Sequence, residues 1–92
     1  DIYYDISDIN VKAMLLTGLQ IRAARVLLKW TIKELAAASG VSAPTIQRLE
    51  QDEGVASGRM QTIAEIINAF EKADIEFIGT PENGAGVRFK PK

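Results

Sequence analysis

Apolar residues recur at helical spacing along most of this chain and at alternating spacing near its C-terminal end. Ile21, Ala24 and Leu28 fall on one stripe of a helix predicted over 18–29, with Leu27 beside them. A short alanine-rich helix is expected over 32–39, stopping at Gly40. A third, over 43–51, places Ile46 and Leu49 on one side. Met60, Ile63, Ile67 and Phe70 line a fourth helix, expected to start near Ser57 or Gly58 and to end around Ala73.

Start signals support the first three helices. Thr17 and Gln20 form a capping box, and Leu16 with Ile21 forms a hydrophobic staple across it. Thr31 with Glu34, and Trp30 with Leu35, repeat that design. Ser42 repeats it in part as the expected cap of the third helix, with Thr45 in place of the acid and Val41 stapling to Ile46. The period then changes. "IEFIG" and "GVRFK" alternate as strands around the turn-forming "TPENGA", so a hairpin is predicted with Val87 and Phe89 facing the core. The first thirteen residues fit either a helix, through Ile2, Ile6 and Ile9, or a strand, through the alternation of "DIYYDI".

The resulting fold class is mainly α, four helices with a C-terminal β-hairpin, on a 92-residue chain that fits one small domain. Neither cysteine nor histidine is present, which removes disulfides, thiolate or imidazole metal sites and the usual nucleophile–base pairs. No convergent carboxylate pair replaces them, and "EQDEG" lacks a calcium-loop pattern, so no enzyme activity, metal or cofactor is expected. No signal peptide and no membrane-spanning run is evident, and a cytoplasmic location is the expectation. Net charge is −1, but its distribution is uneven. Asp1, Asp5 and Asp8 crowd the start, whereas seven basic residues stand against four acidic ones between Lys12 and Arg59. Phosphate binding needs a local positive face, so the total charge does not oppose it.

The segment "AAASGVSAPTIQRLE" joins two short helices at Gly40, a position suited to positive φ, with Ala36 small enough for a close crossing. At 100° per residue, the second of these helices turns Ala43, Pro44, Gln47, Arg48 and Gln51 away from Ile46 and Leu49. Pro44 is tolerated because the first helical turn has no intrahelical use for its missing N–H.

Together with the preceding "IRAARVLLKWT", this segment resembles the Cro/phage-repressor type of helix-turn-helix, the XRE family, over about residues 17–70. The expected organisation is an N-terminal extension over 1–16, a helix-turn-helix domain over 17–74, and the hairpin of 75–92 packed on the same domain. The resemblance implies a DNA-binding transcriptional regulator, a repressor or autoregulator that reads an inverted-repeat operator as a homodimer. Base-reading positions carried over from the family are Ala43, Pro44, Gln47 and Arg48. Backbone positions are Thr31, Lys33, Ser42, Thr45 and Arg59, and Arg25 with Glu50 would form a structural ion pair. Ala43 and Pro44 offer apolar contact to a thymine methyl, Gln47 suits adenine, and Arg48 suits guanine or phosphate. Ile32 departs from the family, which often has a phosphate-contacting glutamine there. The alternatives are a protein-interaction module on the same scaffold and the antitoxin of a toxin–antitoxin pair. For a homodimer the expected seam is the hairpin, through Ile75, Phe77, Val87 and Phe89; the competing expectation is that the hairpin caps its own core.

Overall fold

A computed structural model describes residues 9–52 and 54–91. The helix-or-strand alternatives for Ile2, Ile6 and "DIYYDI" fall outside the described residues. Within them, the helices are α1 (Ile9–Leu15), α2 (Gly18–Leu27), α3 (Ile32–Ser39), α4 (Ala43–Glu50) and α5 (Met60–Lys72), followed by strands β1 (Ile75–Ile78) and β2 (Gly86–Phe89). The fold is mainly helical with an antiparallel C-terminal hairpin, and α1 adds a helix to the four read from the pattern. Ala13 and Leu16 bury the side of this first element against the core, and Lys12 reaches Glu71 on α5 at 2.6 Å.

Local chemistry accounts for most boundaries. Thr17 accepts the Gln20 amide at 3.0 Å while Gln20 Oε1 accepts the Thr17 N–H at 2.9 Å, and Thr31 and Glu34 make the same reciprocal pair. Helix α2 ends sooner than its apolar stripe suggested. Lys29 turns left-handed at φ 59°, the Trp30 N–H returns to the Arg25 carbonyl, and the Lys29 N–H returns to Val26. Leu27, the last residue of α2, is exposed, while Leu28 just past it packs against the core. At the head of α4, Ser42 does not cap: its hydroxyl donates to Thr45 Oγ1 at 2.9 Å. Helix α5 starts at Met60, not at Ser57 or Gly58, because the Ser57 N–H is held by the Asp52 carboxylate and the Ser57 carbonyl by Arg48. Met60, at the first turn, is therefore exposed.

The core lies where α2–α5 converge, around Ile21, Leu35, Ile46, Leu49, Ile66, Ile67 and Phe70, all without solvent contact. Trp30 stacks on Phe70 at 5.8 Å between ring centres, and Phe77 meets the same ring edge-on at 5.7 Å. The hairpin is thereby built into the core. Ile75 is fully buried, and Phe77 and Val87 pack on the helices. Gln20 adds a polar tie, donating from Nε2 to the carbonyls of Gly86 at 3.0 Å and Ile78 at 3.4 Å. Phe89 corrects the expected alternation. It pairs with Ile75 at the end of β2 away from the Gly86 carbonyl that Gln20 holds, and is 52% exposed. Of the four apolar side chains expected at an intermolecular seam, three are used inside the chain.

Deletion of residues 75–92 should therefore unfold the helical part rather than release a folded monomer. Loss of the fully buried Ile75 alone removes about 1.5–3 kcal/mol, and the half-buried Phe77 adds to it, a large share of the roughly 5–15 kcal/mol of a small domain. Thermal denaturation followed by circular dichroism should show no cooperative transition in the shortened chain; a melt matching the full chain would contradict this packing.

Candidate nucleic-acid interface

The α3–α4 junction is a sharp turn built on one residue. Gly40 adopts φ 77° and returns its N–H to the Ala36 carbonyl at 2.9 Å. A Cβ placed there would meet nothing within 4 Å, so the requirement is the left-handed backbone and not space. The Val41 N–H then bonds the Ser39 hydroxyl at 3.1 Å, and α4 sets off with Pro44 in its first turn.

Ile46 and Leu49 anchor α4 with no solvent contact, and the opposite side stands bare. Pro44, Gln47, Arg48 and Gln51 are exposed there. Ala43 and Thr45 lie on the flanks and are half-buried, so they are less open than the other expected contact positions. Thr31 and Lys33, at the start of α3, and Ser42, ahead of α4, are exposed. Arg59 is exposed at the cap position of α5. Arg48 does not hang free. Its guanidinium donates to the Ser57 carbonyl at 3.0 Å, which draws the side chain toward the α4–α5 loop. That loop closes back on α2 by the Ala56 N–H to Leu16 carbonyl bond at 2.8 Å and by the Thr17–Val55 bridge.

The orientation of α4 rests on α2. Arg25 grips the Glu50 carboxylate with two bonds, Nε to Oε2 and Nη2 to Oε1, both 2.9 Å, and gives a third from Nη1 to the Trp30 carbonyl at 3.0 Å. Side-chain exposure is 17% for Arg25 and 7% for Glu50, so the pair is largely withdrawn from water. Hydrogen bonding to Glu50 raises the Arg25 pKa; desolvation opposes that, and the charge of Glu50 adds to the rise. A second contact is steric. At Gly18, the first residue of α2, a Cβ would collide with the carbonyl oxygens of Leu49 and Asp52 at the end of α4.

Two features were not singled out from the pattern of residues. Gly18 could have been suspected, because glycine is a weak helix former at a position where most residues do better. Arg22 on α2 shares a groove with Gln47 and Gln51, a juxtaposition that no local spacing signals. Among the described residues no group of His, Cys, Asp and Glu is arranged to hold a metal ion, and no helix is long and apolar enough to cross a membrane.

A family model described as helix-turn-helix, of the Cro/C1 type, matches residues 21–71. The match takes in α2 from Ile21 onward, α3, α4 and all but the last residue of α5. No curated protein matches the chain.

Removing one partner of this part-buried ion pair should be costly because the other is left charged and unpaired. Glu50→Ala is expected to lower unfolding stability by roughly 3 kcal/mol, while Glu50→Ala combined with Arg25→Leu recovers part of the loss. Urea denaturation of both variants checks this. Equal stability of parent and Glu50→Ala would mean that the pair does not hold the two helices.

Proposed function

The chain belongs to the Cro/C1-type helix-turn-helix family of DNA-binding regulators, and on that footing we propose that it reads an inverted-repeat operator as a homodimer. Helix α4 enters the major groove of each half-site. The observation that carries this reading is the bare side of α4, where Pro44, Gln47 and Arg48 stand exposed opposite the fully buried Ile46 and Leu49. A major groove about 12 Å wide admits such a helix. Gln47 can pair bidentately with adenine, and Ala43 with Pro44 can lie against a thymine methyl. Arg48, from its seat on Ser57, reaches guanine or phosphate at the groove edge.

Thr31, Lys33, Ser42, Thr45 and Arg59 surround that face and serve as backbone contacts, which set register without reading sequence. Thr31 and Ser42 can do so while keeping their intramolecular bonds, since a hydroxyl has one donor and two acceptor positions. Few base-directed hydrogen bonds come from one copy, so two copies about 34–36 Å apart, one turn of DNA, give a useful operator. Within the hairpin, Phe89 is the apolar side chain most open to a contact between copies. Occupancy of a promoter operator makes the chain a repressor or autoregulator, a role that needs neither a cofactor nor a catalytic step.

A second reading has its own observation. A groove of about 590 Å³ beside the hairpin turn is lined by Met14, Leu15, Val55 and Pro81 together with Thr80, Glu82 and Asn83, with Met14 58% and Val55 45% exposed. Such a surface suits a protein partner, as an antitoxin or an interaction module requires. Salt separates the two. DNA affinity falls steeply with ionic strength through counterion release, whereas an apolar protein contact does not.

Selection of bound fragments from random duplexes supplies the operator for the decisive comparison. Gln47→Ala and Arg48→Ala should each weaken operator binding by roughly 1–3 kcal/mol while leaving the melting temperature nearly unchanged. Unchanged affinity in both variants would remove α4 as the reading element.

A further inference from the structure

Beyond Gln47 and Gln51, the outward side of α4 continues toward α2 into a groove of about 390 Å³. Leu19 and Ile32 form its apolar walls, and Arg22 joins the two glutamines on its rim. Arg25 and Glu50 also line the groove, but they neutralise each other through their paired bonds. Arg22 is exposed and takes part in none of the ion pairs among the described residues. The net charge of the groove is therefore that of Arg22.

Helix α4 thus has a cation on either side of its exposed face. Arg22 lies across the groove toward α2, and Arg48 leans the other way, onto the loop that leads to α5 and Arg59. A duplex presents matching chemistry, because its major groove is bordered by two phosphate strands. We propose that Arg22 grips a backbone phosphate on the strand that passes over α2, opposite the strand met by Arg59. Leu19 and Ile32 face the apolar edge of the same deoxyribose, and the amides of Gln47 and Gln51 supply neighbouring donors. This inference rests on the operator reading above. It adds a contact on α2 to those on α3, on α4 and at the cap of α5.

Binding of the selected operator and of a scrambled duplex, each measured across a range of potassium chloride concentrations, tests it in the parent chain, Arg22→Gln and Arg22→Lys. One lost phosphate contact should make the slope of log affinity against log salt shallower by about 0.9 in Arg22→Gln. The loss should be equal on operator and scrambled DNA, and Arg22→Lys should keep the parental slope. Thermal melting of the glutamine variant should match the parent. An unchanged slope in Arg22→Gln overturns the inference and leaves the operator reading standing. A loss confined to the operator also overturns it, since that is the signature of a base contact. Failure of the parent chain to bind any duplex would overturn both.

Discussion

What α4 shows to the outside is decided by how it is held from the inside, and the Arg25–Glu50 pair is the contact with the least tolerance. Ile46 and Leu49 supply the larger stabilisation, about 1.5–3 kcal/mol each, but apolar contact is non-directional and sets depth more than rotation. The two 2.9 Å bonds between a planar guanidinium and a carboxylate have a required geometry. They fix Glu50, and with it the direction in which Gln47 and Arg48 point. Gly18 adds the axial limit, because the end of α4 sits where any other residue of α2 would place a Cβ. Helix α4 is held in rotation by charge and along its length by contact.

The same arrangement explains how a chain of net charge −1 carries a face fit for phosphate. Glu50 is consumed by Arg25 and Glu71 by Lys12, and Glu76 pairs with Arg88 at 3.0 Å across the outer side of the hairpin. Asp52 accepts from the Ser57 amide at 3.2 Å. Lys33, Arg48 and Arg59 are left exposed around α4. Glu50, Glu71 and Glu76 thus offset the total without shielding that face.

Much of this was legible before the structure, and the limits have physical causes. Capping is local chemistry, so Thr17 with Gln20 and Thr31 with Glu34 mark α2 and α3 directly, and Gly40 marks the turn by a backbone angle. Features set by distant groups were not legible. Ser42 failed for a local reason: it stands at the cap position of α4, but its hydroxyl donates to Thr45 Oγ1. The start of α5 moved to Met60 because Asp52 and Arg48 occupy the amide and carbonyl of Ser57. Phe89 kept the alternation of a strand and lost its burial, although its register partner Ile75 is fully buried. Of the positions on α4, the angular argument placed Pro44, Gln47 and Arg48 on the open side. Ala43 and Thr45 sit lower on its flanks.

Amide chemical-shift mapping by NMR, during titration of the labelled chain with a selected operator duplex, tests directly whether the face held outward by the Arg25–Glu50 pair is the one that meets DNA. The expected perturbations concentrate on the start of α3 and on Ser42, Ala43, Gln47, Arg48 and Gln51, and they extend to Arg22 and Arg59. Shifts confined to Met14, Val55 and the hairpin turn, with α4 silent, would contradict it.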